Sequence, residues 1–175
     1  ILVIAYFGYY AYLTDQADTL SGAIYTQDPT LFARDQFAVQ TADSRIRMLM
    51  YTSMHAMKLV GIPLAGQLLT LQFLSTALMA AVAFYAIRLF RLPLPAILLA
   101  PALALFYVGA ELNSGFGDNS AMWEPYFSPR QPATQLLALA LLLMYARHYI
   151  WAGVALAGAT YWNPSSGLAG YVLIG

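Results

Sequence analysis

The run LAGQLLTLQFLSTALMAAVAFYAIRLF, residues 64–90, decides the fold. It lies in an apolar stretch of about 60–90 that is long enough to cross a bilayer with some tilt. Around it the chain is 61% hydrophobic and only 9% charged. An ordinary soluble domain carries roughly 25% charged residues, so the composition predicts a polytopic membrane protein. Counted in spans of about 20 residues plus loops, 175 residues accommodate about five.

The remaining spans are read outward from that run. Residues 1–13 (ILVIAYFGYYAYL) form the outer half of a first span, and about 94–112, 132–149 and 151–175 form the third, fourth and fifth, the last of them broken. The chain begins and stops inside apolar runs, which reads as a piece of a longer protein. The expected fold is all-α: a single transmembrane helical bundle of about five spans, with interfacial helices in the first extracytoplasmic loop.

Charge fixes the expected orientation. All acids fall in two stretches, residues 14–45 and 111–125, in or beside the loops at about 14–59 and 113–131: Asp15, Asp18, Asp28, Asp35 and Asp43 in the first, Glu111, Asp118 and Glu124 in the second. Arg88 and Arg91 occupy the turn after span two, and Arg147 with His148 the turn after span four, both without acids. Lys and Arg in short loops are retained on the cytoplasmic side, so the acidic loops are extracytoplasmic. Arg34, Arg45, Arg47, Lys58 and Arg130 then also lie outside, four of them in a long loop of the kind that obeys this rule poorly. Zero net charge gives no bulk attraction to nucleic acid, and zero cysteines exclude disulfides and thiolate metal sites in this stretch.

Within the first loop, Ile46, Leu49, Met50, Met54 and Met57 recur at helical spacing. They predict either an interfacial helix with its Met-rich face in lipid or an aqueous extension of span two. The segment YTQDPTLFARDQF, residues 25–37, is the most distinctive. Asp28 precedes Pro29 and suits the N-cap of a short helix, on which Asp28 and Asp35, seven apart, would share a face. Carboxylates gathered there can deprotonate an acceptor or hold a divalent cation against a phosphate leaving group. The bland reading gives Asp28 a capping role and pairs Asp35 with Arg34 or a lipid headgroup.

In the second loop Arg130, after Ser128 and Pro129, suits a clamp on phosphate at the membrane edge, or a snorkelling anchor for span four. Gly115 and Gly117 form no phosphate loop, because no Gly-Lys-Ser/Thr follows. In span five, Asn163 and Pro164 interrupt the backbone at membrane depth, which predicts a kink lining a cavity. His55 and His148 fall on opposite faces, so a histidine metal site is not expected.

One span, a long acidic loop with a surface helix, a tight basic turn and a short acidic loop follow one another in this chain. SPRQPATQLLALALLL then precedes a polar-Pro-x-x-Gly break, WNPSSG. This order resembles the C-type (GT-C-like) integral membrane glycosyltransferases, and among them the uncharacterised bacterial polytopic branch. The resemblance implies transfer of a sugar from a polyprenyl-phosphate donor to an acceptor on the extracytoplasmic face of a bacterial inner membrane. It implies Asp28 or Asp35 as catalytic base or metal-side acid, Asp118 or Glu124 assisting a divalent cation (Mg or Mn) or the leaving phosphate, and Arg130 near the lipid phosphate. The chain departs from the family pattern in having no adjacent Asp-Glu pair in the first loop and no Asp-x-Asp in the second. The competing readings are a transporter or lipid flippase, and a non-catalytic relative of the same architecture.

Overall fold

A computed structural model describes residues 14–31, 34–43, 47–93, 95 and 128–174. Among them seven α-helices are seen and no strand: α1 Thr14–Gln27, α2 Gln36–Asp43, α3 Met48–Leu59, α4 Leu64–Phe90, α5 Arg130–Tyr145, α6 Tyr149–Trp162 and α7 Pro164–Ile174. The all-α expectation holds. Of the five expected spans, the one at 60–90 is present as α4, the one helix among the described residues that is long and apolar enough to cross a membrane. Its 27 residues rise about 40 Å. Only 17% of its most apolar stretch is buried, whereas a soluble core helix would be mostly covered. Leu69, Phe73, Leu74 and Phe84 point outward. The first span lies outside the described residues, as does nearly all of the third.

Helix α5 lies against α4 and runs parallel to it. Ser75 on α4 meets Gln131 and Gln135 near the start of α5. The Phe90 and Tyr145 rings at the two C-terminal ends have centroids 5.2 Å apart. The separations agree: residues 75 to 90 on α4 match residues 131 to 145 on α5. Arg88 and Arg91 therefore share one end of the helix pair with Arg147 and His148.

Both basic turns are built the same way. Arg91 and Arg147 adopt left-handed backbone (φ 52° and 63°), and the next residue's N–H returns to a carbonyl five back, Leu92 to Ile87 and His148 to Leu143. This is the Schellman termination, usually a glycine's task. Gly61 (φ 82°) performs it after α3, with Ile62 N–H bonded to the Met57 carbonyl. The turn at Gly61 separates α3 from α4, so α3 is not an extension of span two.

Nor does α3 lay its methionines in lipid. Met50 and Met54 are fully buried, packed with Leu20 and Ala23 of α1 and with Leu68 and Leu71 of α4. Tyr51 joins this cluster, and Trp162 packs against it from the end of α6. Two short helices, α1 and α3, thus cap the first third of α4, and the helical Met stripe seen in sequence is an internal contact. A methionine fills the irregular gap where three helices cross because it is unbranched and adaptable.

Residues 151–175 also differ from expectation. They do not form one kinked helix. A Cβ on Gly170 would collide with Leu156 Cδ1, and one on Gly167 would lie 2.6 Å from the Thr160 Cα. Fourteen residues of continuous helix separate their ends by about 21 Å, so α7 folds back along α6. Helix α6 is in turn antiparallel to α5, with Gly158 beside Leu136, and Ala140, Ala155 and Leu156 form their shared core. Small residues on the facing surfaces, Ala133, Ala140, Ala152 and Ala159 among them, let such helices approach closely.

Because Met54 is internal, Met54→Ala should lower unfolding stability in detergent by about 2–5 kcal/mol, while Met48→Ala, at a half-exposed position, should change it little. Denaturant titration of both variants distinguishes this packing from a lipid-facing methionine stripe.

Candidate functional site

Gln27 ends α1, and the chain turns at once. Asp28, Pro29, Thr30 and Leu31 form a β-turn closed by the Leu31 N–H on the Asp28 carbonyl at 3.1 Å. Asp at the first position and Pro at the second are the residues such a turn favours. Thr30 donates its backbone N–H (3.0 Å) and its hydroxyl (2.6 Å) to Asp28 Oδ1. Asp28 is therefore a turn residue, not the N-cap of a helix at 29–37. The cap belongs to Asp35, whose Oδ1 accepts the Ala38 N–H at 3.3 Å and whose carbonyl accepts that of Val39. The two aspartates belong to different elements and do not share a helix face.

The Thr30 hydroxyl, then the Thr30 backbone N–H, and more weakly the Lys58 charge, hold the Asp28 carboxyl below its ordinary value of 3.8. Lys58 Nζ itself donates to the Gln27 carbonyl at 2.6 Å, placing a cation at the negative C-terminus of α1. Gln27 Nε2 donates to Gln67 Oε1 (2.9 Å), and Gln67 Nε2 to the Ile62 carbonyl (2.8 Å). The Asp28 turn is thus fastened to the start of α4.

Eight residues further along α4, about 12 Å, Ser75 shares its hydroxyl between Gln135 Oε1 (3.2 Å) and Gln131 Oε1 (3.4 Å). Gln67, Gln72, Ser75, Ser128, Gln131 and Gln135 are all buried. Arg130, half-buried, is the first residue of α5, and its N–H donates to Ser128 Oγ at 3.3 Å. Register with α4 sets Arg130 about 16 Å along that helix from Leu64.

Asn163 joins the same level from the other side. Gly158 lies beside Leu136, so in an antiparallel pair Asn163 stands opposite about residue 131. It is 8% exposed and extended (φ −151°, ψ 110°). Its N–H is bonded to the Ala159 carbonyl and its own carbonyl accepts the Gly167 N–H. Pro164, which has no N–H to satisfy, opens α7.

Asp15 and Asp18 lie on α1 and Asp43 ends α2. Asp118 and Glu124 lie outside the described residues, as does Glu111. Among the described residues no three His, Asp or Glu side chains come together to hold a metal ion. Thr30, Lys58 and the pair Gln131 and Gln135 were not singled out from sequence. The last two had a signal, since a four-residue spacing at the head of an apolar helix puts both on one face. No family model, curated protein or solved structure matches this chain.

With its folded pKa depressed, Asp28 contributes stability above its ordinary value of 3.8, and that contribution is lost as pH falls through the lower folded value. Thr30→Val removes the largest cause of the shift. The Asp28 carboxyl, followed by NMR titration in micelles, should then titrate closer to 3.8 than in the parent.

Proposed function

We propose that this chain is the membrane portion of a glycosyltransferase that moves a sugar from a polyprenyl-phosphate donor to an acceptor on the extracytoplasmic face. The observation that carries this reading is the buried strip of α4 from Gln67 to Ser75. It ties the Asp28 turn and the Arg130 end of α5 to one helix over about 12 Å. That spacing suits an acceptor near the carboxylates and a lipid phosphate near the guanidinium, whose planar fork binds phosphate oxygens in pairs.

The two aspartates suit different tasks. Asp28, whose carboxyl Thr30 holds below its ordinary value, fits a fixed negative charge that orients an acceptor. Asp35 is the candidate base, removing the acceptor proton as its oxygen bonds to the anomeric carbon and the polyprenyl phosphate leaves. Arg130 stabilises the charge released on that phosphate.

A transporter or lipid flippase is the second reading, favoured by a specific observation. Buried polar side chains from α4, α5 and the α6–α7 turn share one level well inside the length of α4. Two helices, α5 and α7, also begin there, and broken helices whose N-termini face a midplane site suit an anionic cargo.

Asp28→Asn, Asp35→Asn and Arg130→Gln in the full-length protein, with lipid-linked sugar turnover measured in membranes, test the proposal. Turnover should fall at least about tenfold with Asp35→Asn and Arg130→Gln, the scale expected of a lost base or charge stabiliser, and less with Asp28→Asn. Full activity in all three would remove these residues from the site. Solute accumulation in vesicles without turnover in the parent would replace the transferase by the transporter.

A further inference from the structure

The fold-back of α7 along α6 has a consequence for how the chain meets a bilayer. Helix α6 starts at the basic turn Arg147–His148 and ends opposite the start of α5; α7 then retraces it, with Gly167 beside Thr160 and Gly170 beside Leu156. Continuing that register brings Ile174 opposite about residue 152, within a turn of where α6 began. Their 14 and 11 residues rise about 21 and 16 Å, against a hydrocarbon core of about 30 Å, so neither can cross alone.

The inner side of this hairpin is buried. Ala152, Ala155, Leu156 and Ala159 pack inward, and Gly170 lies against Leu137 of α5. Its outer side is apolar and aromatic: Ile150, Trp151 and Val154 on α6, and Leu168, Tyr171 and Val172 on α7 are all exposed, Ile150 and Val172 by more than 80%. Only the tip is polar. There the extended backbone of Asn163 is covered by protein and satisfied by the Ala159 carbonyl and the Gly167 N–H. Irregular backbone survives at membrane depth under that condition alone.

We infer that α6 and α7 form a re-entrant hairpin. It enters from the face that carries Arg88, Arg91 and Arg147, turns at Asn163 near mid-depth against the Ser75–Gln131–Gln135 layer, and returns to the face it left. Its exposed aromatic side is covered by acyl chains of that leaflet. Arg147 and His148 at its base sit at the headgroup level, where cations are stabilised by anionic lipid. The inference rests on the membrane reading of α4. It replaces the expected fifth crossing and leaves Ile174 on the side opposite to that expected.

These 175 residues contain no cysteine, so single cysteines placed in them meet no background from this stretch. Leu31→Cys, Arg91→Cys, His148→Cys and Ile174→Cys are placed one at a time in the full-length protein. Each is treated with a membrane-impermeant maleimide in sealed right-side-out and inside-out vesicles. Arg91→Cys, His148→Cys and Ile174→Cys should be modified from one face, and Leu31→Cys from the other. Modification of Ile174→Cys from the Leu31→Cys face, with Arg91→Cys and His148→Cys still together, overturns the hairpin and leaves the α4 span standing. Modification of all four from a single face overturns the span and the hairpin together.

Discussion

The contact of Ser75 with Gln131 and Gln135 sets the arrangement of everything else. Apolar helices in lipid gain little from the hydrophobic effect when they associate, so packing and buried hydrogen bonds choose their partners and register. Such bonds average about 0.6 kcal/mol in membranes, with a maximum near 1.7. Their larger effect is exclusion: sliding α5 by one residue would turn two glutamines toward apolar side chains, each costing of order 1–3 kcal/mol if unsatisfied. The parallel register brings Phe90 to Tyr145 and gathers the arginine turns at one end. It also sets the height at which α5, and through it the α6–α7 hairpin, meets α4.

A second constraint acts at the opposite end of α4. The first ten residues of that helix extend past the start of α5 and are sheathed by α1 and α3 instead. Fully buried Met50, Met54 and Leu68 close this contact, and the Gln27–Gln67 and Lys58–Gln27 bonds tether the Asp28 turn to it. The aspartates that sequence made prominent are thus carried by short helices docked on a long one. Their nearest duties are local: Asp28 organises a turn and Asp35 starts α2. Under the proposed function they act from positions already fixed by those duties.

Composition and the length of the apolar run at 60–90 were enough to read helices, the long apolar α4 among them, because a run of that kind leaves its backbone polar groups few solutions. The basic turns were legible from Arg88, Arg91, Arg147 and His148 between apolar runs, although three of the four left-handed positions among the described residues are arginines where glycine would be expected. Partners were not legible. The Met stripe of α3 has the period of any amphipathic helix, and period alone does not say whether lipid or protein covers it. Asn163-Pro164 marked a break correctly, but a kink and a full reversal share that signal. The absence of β-carbons at Gly167 and Gly170, where α7 approaches α6 and α5, decides for reversal. Asp28-Pro29 likewise suits a turn and a helix start, and Thr30, a donor two residues on, tips it to the turn. The second acidic loop, with Asp118 and Glu124, lies outside the described residues, so that half of the candidate site rests on sequence alone.

The parallel register of α4 and α5 is the claim on which the depth of Arg130, the polar layer and the hairpin all depend. Paired cysteines test it directly, through the yield of a short thiol cross-linker in membranes. The pairs Ser75→Cys with Gln131→Cys and Phe90→Cys with Tyr145→Cys should each cross-link, and Ser75→Cys with Tyr145→Cys should not. Efficient cross-linking of that last pair, with neither of the first two, would mean that α5 runs the other way and would contradict the account.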